Sequence, residues 1–287
     1  MREDFARRAL EIFRFQAEHC APYAQYISLL GVQASNVKEV EEIPFLPIEI
    51  FRSHVVYCGH TQAELVFESS GTTGSATSRH HVASAALYER SFLDAFTYFY
   101  GSPSCYCLET LLPSYRQGSS LLYMVEKLRP LCTGDKVLLL GVTFALLEAA
   151  REGYSGRQPD IVMETGGMKG HGRQVDRVAL HRELSAAFGV DCIHSEYGMC
   201  ELLSQAYSTG GGIFRTPLSM EVMVRDLRDE LRMLPDGLVG GINVIDLSNE
   251  YSCSFIATGD CGVRHGDGSF EVLGRIEGEI LRGCNML

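Results

Sequence analysis

Apolar positions recur along the chain with two different periods, and each period predicts a different element. Near the amino terminus Phe5, Ala9, Ile12 and Phe13 share one helical face, which predicts a helix over residues 2–30. The segment EEIPFLPIEIFRSHVV follows, and its two prolines predict extended backbone that leads into a sheet. An LVF run then predicts a strand, the serine-rich stretch after it a loop, and VASAALYERSFLDAFTYFY a long helix.

Short apolar runs then alternate with helical patterns. CYCLETLLP, KVLLLGV and DIVMETGG predict strands, and SSLLYMVEKL, FALLEAARE and VDRVALHRELSAAFG predict helices. Such alternation is typical of an α/β fold with a mostly parallel sheet and flanking helices, which binds ligands at the carboxyl ends of its strands. Past Gly210, short strands separated by PDG, SNE and GDG turns predict a small antiparallel β subdomain. We therefore predict an α/β part over residues 1–210 and a β-rich subdomain over residues 211–287.

Composition narrows the class of protein. The chain has 287 residues, of which 46% are hydrophobic, enough for a large core. Its formal net charge of −11 argues against a nucleic-acid partner, whose binding depends on basic surface. The ten cysteines include no CxxC pair, which disfavours a zinc finger. The start of the chain lacks the apolar run of a signal peptide, and no stretch is apolar enough for a membrane span. We expect a cytoplasmic protein with reduced cysteines.

The serine-rich loop FESSGTTGSATSRHH is the first candidate binding segment. Glycines let backbone amides approach a ligand closely, and consecutive amides with nearby hydroxyls suit an anion, most often a phosphate. A helix that begins after the loop would add a favourable dipole. The alternative is a plain surface loop, and the pattern is not that of a P-loop. The candidate phosphate-binding residues are Ser69, Ser70, Gly71, Thr72, Thr73 and Gly74.

Three further segments carry candidate ligand-binding side chains. HSEYGMCEL places the aromatic ring of Tyr197, the flexible Gly198 and the carboxylate of Glu201 close together. ATGDCG puts Asp260 after a glycine, where a carboxylate can hold the hydroxyls of a sugar, and LGR presents Arg275 for a ribose or phosphate. Each segment taken alone is explained equally well by an ordinary turn or hairpin.

Taken together, SSGTTG, YGMCE, TGD and LGR…RG resemble, in order and spacing, the motifs of the adenylate-forming superfamily. This superfamily contains acyl-CoA synthetases, peptide-synthetase adenylation domains and luciferases. The resemblance implies that residues 69–74 meet the phosphates of ATP and that Asp260 and Arg275 bind the ribose. It also implies that the turn from Tyr197 to Glu201 holds adenine and Mg²⁺, with Glu201 as the metal ligand. Gly166 and Gly167, in ETGGMKG, match the glycine loop beside adenine.

A narrower resemblance points to the acyl-protein synthetase branch, on the segments IPFLPIEIFRSHVV and ETGGMKG. The chain departs from the family in two respects. The phosphate loop ends without a lysine, and Arg79 is the candidate for that charge. The chain ends at Leu287, shortly after the hinge, so we expect the small carboxyl-terminal lid domain and its catalytic lysine to be absent or supplied by a partner.

The function implied by the resemblance is ATP-dependent activation of a fatty or other carboxylic acid as an acyl-adenylate. Transfer of the acyl group to a second nucleophile follows. Cys284 is one candidate nucleophile, because a thioester keeps the acyl group activated; CoA, the thiol of an acyl carrier protein and an amine are the alternatives. The residues expected to act in catalysis are Thr72, Arg79, Glu201 and Cys284. A nucleotide-binding regulator and an interaction subunit completed by a partner are the competing functions.

Overall fold

The computed structural model describes residues 2–59, 61–69, 77–113, 118–166 and 176–276. The helices are α1 (Glu3–His19), α2 (Ala21–Leu29), α3 (Ile50–Ser53), α4 (Ala85–Tyr100), α5 (Ser120–Leu128), α6 (Thr143–Glu152) and α7 (Arg177–Phe188). The strands are β1 (Leu46–Pro47), β2 (Leu65–Glu68), β3 (Arg79–Val82), β4 (Tyr106–Leu111), β5 (Lys136–Val142), β6 (Ile161–Thr165), β7 (Ile193–Tyr197), β8 (Ala206–Ser208), β9 (Ile213–Phe214), β10 (Met220–Arg225), β11 (Val239–Asp246), β12 (Phe255–Arg264) and β13 (Phe270–Arg275). Within these described ranges, none of the helices combines the length and apolarity needed to cross a membrane.

Contacts divide the chain into two compact units that alternate along the sequence. The first unit comprises residues 1–88, 200–204 and 218–287, and the second comprises residues 89–199 and 205–217. This contact-based division differs from the linear division after residue 210, which remains a prediction about domains.

The second unit contains the parallel sheet that the alternating pattern predicts. Its strands lie in the order β4-β5-β6-β7-β8, and neighbouring strands from β4 to β7 run parallel. The short strand β8 pairs antiparallel with β7. The carboxyl ends of β5, β6 and β7 therefore meet at one edge, which is where parallel sheets bind ligands.

Alternate residues of β5 explain why helices cover both faces of this sheet. Leu138 and Leu140 belong to a cluster that includes side chains of α4 and α5, such as Phe96 and Val125. Leu139 belongs to another cluster, together with side chains of α6 and α7. A strand that is apolar at consecutive positions suits a sheet buried on both faces.

The first unit contains the antiparallel sheet predicted for the carboxyl-terminal part. Strands β10, β11, β12 and β13 pair antiparallel in that order, and β1 adds to β12 in parallel. Aromatic rings join this sheet to α1 and α2, since Phe255 of β12 lies edge-on to Phe13 of α1 at 6.0 Å between ring centroids and stacks with Tyr23 of α2 at 6.3 Å. The fold class is thus confirmed in its coarse form, as a mixed α/β protein with a parallel-rich sheet and a separate antiparallel sheet.

The sequence predicts a strand, a loop and a helix around the serine-rich segment, but the structure has a second strand between the loop and the helix. The loop connects β2 to β3, which pair antiparallel with Glu68 opposite Arg79, and α4 begins only at Ala85. The helix predicted over VASAALYERSFLDAFTYFY is confirmed as α4, but β3 lies between it and the loop, so the helix does not begin directly after the loop as the expected dipole requires. β3 has the sequence RHHV, which carries no apolar alternation, so its pairing with β2 and not its own pattern makes it a strand.

Two smaller differences occur near the amino terminus. The helix predicted over residues 2–30 is divided at Cys20 into α1 and α2, with Pro22 in the first turn of α2, where a missing N–H is tolerated. In the segment predicted to be extended, β1 is followed by the short helix α3 at Ile50–Ser53.

Candidate functional site

The hairpin of β2 and β3 closes the base of the serine-rich loop. The Ser69 backbone N–H donates to the carbonyl of Ser78 at 3.0 Å, and the Ser78 N–H donates to Oγ of Ser69 at 2.9 Å. The candidate phosphate-binding hydroxyl of Ser69 is therefore an acceptor in this closure. Arg79, the candidate substitute for the family's lysine, pairs with Glu68 across the hairpin at 3.2 Å.

Glu201 is a buried carboxylate in the same unit. It is 4% exposed, and the hydroxyl of Ser78 donates a hydrogen bond to it. Burial raises the pKa of Glu201, while the Ser78 hydrogen bond and the positive charges of Arg275 and Arg52 act in the opposite direction. The carboxylate thus lies in a positive local field despite the acidic balance of the chain.

Asp260 and Arg275 face each other on neighbouring strands. They are directly paired in the register of β12 and β13, and Arg275 Nη1 donates to Asp260 Oδ1 at 2.8 Å. The Asp260 side chain is 12% exposed and that of Arg275 is 65% exposed, so the pair presents its cation to solvent. Two residues upstream on β12, the carbonyl of Thr258 accepts a hydrogen bond from the buried Arg225 of β10 at 2.7 Å, and Thr258 Oγ1 accepts from the Asp260 N–H at 3.1 Å. These contacts hold the backbone that carries Asp260.

Residues from the four motifs are therefore connected within one compact unit. Ser69 bonds to Ser78, Ser78 bonds to Glu201, the charge of Arg275 acts on Glu201, and Arg275 bonds to Asp260. The sequence separates these positions by up to 206 residues, and the fold of the first unit brings them into one electrostatic group.

The second unit holds the glycine-loop and aromatic candidates. Gly166 follows β6 with φ of 76°, a conformation that favours glycine. On the neighbouring strand Glu196 accepts a hydrogen bond from Thr165 Oγ1. A side chain at Gly198 would place its Cβ 2.3 Å from Glu196 Oε1, so the Glu196 carboxylate would have to move to admit one.

Tyr197 and His194 lie on β7 in partly or fully buried surroundings. The Tyr197 ring is 8% exposed and packs edge-on against Phe214 at 5.9 Å between ring centroids. His194 Nδ1 is 3.1 Å from the hydroxyl of Tyr100, and burial lowers the pKa of His194. The imidazole of His194, near the amino end of β7, is therefore neutral at neutral pH.

Several candidates from the sequence lie outside the described residues. They are Ser70, Gly71, Thr72, Thr73, Gly74, Gly167 and Cys284. Their roles remain predictions.

The sequence patterns did not identify several side chains that hold the candidate site. Ser78 and His80 lie at the end of the segment FESSGTTGSATSRHH, and the run SRHH is the one available signal for them. Asp246 is the last residue of β11 and Asn249 lies in the turn that follows, in a segment whose pattern predicts only a strand and a turn. No local pattern marks either residue, because their partners are backbone groups of residues 201–204, far away in sequence.

The one mode of Mg²⁺ binding that the described carboxylates allow is binding together with a nucleotide, through a single carboxylate. Across the described ranges, no group of three or more His, Cys, Asp or Glu side chains could hold a metal ion. Nucleotide-bound Mg²⁺ commonly takes only one or two carboxylates, with water and phosphate oxygens as its other ligands. Glu201 is a single buried carboxylate that could supply one such ligand.

Comparisons with known proteins give matches among solved structures only. No protein-family model and no curated protein sequence matches the chain. A 2-hydroxyisobutyryl-CoA ligase in complex with 2-HIB-AMP and CoA is 16% identical with a TM-score of 0.69, covering 94% of this chain and 74% of that chain. ATP-bound MatB from Rhodopseudomonas palustris is 18% identical with a TM-score of 0.55, covering 75% of this chain and 49% of that chain. AMP-bound O-succinylbenzoate coenzyme A synthetase from Bacillus subtilis is 16% identical with a TM-score of 0.53, and the match covers 74% of this chain and 49% of that chain.

These structures are all of adenylate-forming acyl-CoA synthetases, and the chain has their fold. The resemblance predicted from the four motifs is thereby confirmed at the level of the superfamily fold, while the acyl-protein synthetase branch remains a prediction. The chain spans about half the length of the MatB and O-succinylbenzoate coenzyme A synthetase chains that it matches.

Proposed function

We propose that this protein activates a carboxylic acid with ATP, forming an acyl-adenylate and pyrophosphate, and that the acyl group then passes to a thiol or another nucleophile. The observation that carries the proposal is the connected group of motif residues in the first unit, from Ser69 through Ser78 and Glu201 to Arg275 and Asp260. The fold shared with acyl-CoA synthetases adds support.

In the first step an oxygen of the substrate carboxylate forms a bond to the α-phosphorus of ATP. The bond from that phosphorus to the bridging oxygen breaks, and pyrophosphate leaves with its electron pair. The reaction concentrates negative charge, so the protein acts by positioning and electrostatic stabilisation. Asp260 would accept hydrogen bonds from the ribose hydroxyls. Arg275, which is paired to Asp260, would fix the direction of that carboxylate.

Mg²⁺, when bound with the nucleotide, would offset the charge of the phosphates. Glu201 is the residue proposed to hold it. Ser78 donates to the Glu201 carboxylate and restricts its rotation, and the positive charges of Arg275 and Arg52 favour its ionised form. The backbone amides and hydroxyls of residues 69–74 would hold the departing pyrophosphate.

In the second step a nucleophile attacks the acyl carbonyl carbon and AMP leaves. CoA is the acceptor suggested by the ligase structure that contains both 2-HIB-AMP and CoA. Transfer through Cys284 is the competing route. It would leave a hydroxylamine-labile acyl group on the peptide that contains this cysteine, and Cys284→Ser would abolish that group while pyrophosphate exchange continues.

The test is an ATP–pyrophosphate exchange assay with a panel of carboxylic acids. Exchange that depends on one class of carboxylate supports the proposed enzyme. ATP binding without exchange would favour a nucleotide-binding regulator. Exchange that begins only when a second protein is added would favour a subunit completed by a partner, and the absence of both binding and exchange would contradict the proposal.

A further inference from the structure

Residues 200–204 form an irregular segment whose backbone is held by side chains from elsewhere in the first unit. The segment contains no helix or strand, so its peptide groups lack the partners that regular structure would supply. Asp246, which is 0% exposed, accepts hydrogen bonds from the N–H groups of Leu203 and Ser204, each at 2.8 Å. These contacts fix the carboxyl-terminal half of the segment.

Two other side chains bond to the peptide groups on either side of Glu201. His80 Nδ1 lies 2.8 Å from the carbonyl oxygen of Cys200, and Asn249 Nδ2 donates to the carbonyl oxygen of Glu201 at 2.7 Å. The first carbonyl belongs to the peptide plane before Glu201 and the second to the plane after it. Holding both planes fixes the backbone dihedral angles of Glu201, and with them the direction of its Cα–Cβ bond.

The same two bonds decide which atoms of His80 and Asn249 are acceptors. His80 is 0% exposed, and burial lowers its pKa to about 4, so the ring is neutral at pH 7. Its bond to a carbonyl requires the proton on Nδ1, which leaves Nε2 with a lone pair. The donating amide nitrogen of Asn249 likewise assigns Oδ1 as its acceptor.

Both of these acceptors lack a hydrogen-bond partner among the described residues. His80 Nε2 and Asn249 Oδ1 are buried side-chain atoms, His81 Nδ1 is a third such atom without a partner, and all three residues line one cavity of about 10 Å³. That volume is close to the minimum for a single water molecule, which can donate two hydrogen bonds. One water molecule can donate to His80 Nε2 and to Asn249 Oδ1, and its own lone pairs remain to accept from His81 Nδ1.

We propose that His80 and Asn249, bridged by one buried water molecule, are positioning residues that set the direction of the Glu201 carboxylate. The kinetic part of this inference rests on the proposed function. Neither side chain touches the nucleotide in this proposal. Both act through the backbone of Glu201.

The test compares variants that lose one buried hydrogen bond in the same compact unit. His80→Phe replaces the imidazole by an aromatic ring without nitrogens, and His80→Asn retains an amide donor near the position of Nδ1. Tyr23→Phe is the matched control, because Tyr23 is fully buried and its hydroxyl donates to the carbonyl of Pro44 at 2.6 Å, away from residues 200–204.

We expect His80→Phe to lower kcat of pyrophosphate exchange about tenfold or more, as misplacement of a reacting group does, with little change in KM for ATP. The Mg²⁺ concentration that gives the half-maximal rate should rise. His80→Asn should restore most of the rate, and Tyr23→Phe should keep the wild-type kcat with a comparable loss of thermal stability. Wild-type kinetics in His80→Phe, or equal kinetic losses in His80→Phe and Tyr23→Phe, would overturn the proposal.

Two measurements separate this inference from the proposed function. Amide hydrogen exchange of the peptide that covers residues 200–204 should be faster in His80→Phe than in Tyr23→Phe, whether or not the protein turns over ATP. A high-resolution crystal structure of the wild type should contain a water within hydrogen-bond distance of His80 Nε2 and Asn249 Oδ1. Amide hydrogen exchange of residues 200–204 that is no faster in His80→Phe than in Tyr23→Phe would refute the positioning role. A protein group bonded to His80 Nε2 in the wild type would also refute it. Absence of pyrophosphate exchange in the wild type would instead refute the proposed function.

Discussion

Arg275 donates from Nη1 to Oδ1 of Asp260 at 2.8 Å, and the two residues are direct partners across β13 and β12. The two motifs that carry them, TGD and LGR, are thus a single structural feature in the folded chain. Because the carboxylate is largely buried and the guanidinium is exposed, Asp260 is held in one orientation by a cation that remains accessible to a ligand.

Asp260→Ala should weaken ATP binding by about 2 kcal/mol, roughly 30-fold, because hydrogen bonds to a charged acceptor are lost. Titration calorimetry with ATP measures this change. Asp236→Ala is the control, since Asp236 pairs with Arg264 at 2.5 Å in the same unit and belongs to none of the four motifs. Equal ATP affinity in the Asp260 and Asp236 variants would argue against a ribose at Asp260.

Glu201→Gln should reduce Mg²⁺-dependent pyrophosphate exchange by about 100-fold, the size typical of removing one electrostatic contact to a transition state. ATP binding measured without turnover should remain largely intact, because the amide keeps the shape and the hydrogen bond with Ser78. Glu271→Gln, on β13, changes a carboxylate paired with His265 at 3.0 Å and serves as control. Full activity in Glu201→Gln would remove this residue from the site.

His80 should make the stability of the fold depend on pH. Burial lowers its pKa to about 4, below the ordinary value of 6.5, so the unfolded chain binds a proton more readily than the folded one. The stability that His80 contributes is therefore complete above pH 6.5 and is lost as the pH falls towards 4, by about 3 kcal/mol.

Urea denaturation at pH 7 and at pH 4 measures this loss, and the difference between wild type and His80→Phe isolates it. His81, whose pKa burial also lowers, is present in both proteins and cancels in the comparison. Between pH 7 and pH 4, the free energy of unfolding should decrease less in His80→Phe than in the wild type. Parallel pH profiles would mean that His80 does not titrate in this range.

Asp246→Ala should lower the free energy of unfolding by about 3 kcal/mol or more. The buried carboxylate accepts from the N–H groups of Leu203, Ser204 and Ser248 and from the hydroxyl of Ser204, and these donors would lose their acceptor. Urea denaturation checks the value, with the more exposed Asp236→Ala as control. A loss below about 1 kcal/mol, the range of a surface ion pair, would show that water replaces the carboxylate.

Local patterns predicted most of the regular elements. The strand KVLLLGV and the helix after it appear as β5 and α6, because an apolar run and a helical period each carry their signal within about ten residues. β3 had no such signal, since RHHV is polar and is extended only because it pairs with β2. Helix α3 likewise formed where proline spacing favoured extended backbone.

The sequence by itself determined the alternation of strands and helices, the order of the four motifs and the superfamily that they resemble. Those properties depend on residue type and on short spacing. Only the tertiary structure decided that residues 200–204 group with the first unit and that Asp260 pairs with Arg275. It also decided that His80 bonds to Cys200, a residue 120 positions away. These contacts satisfy buried polar groups whose partners come from distant segments, and a linear pattern does not record which distant group will lie opposite.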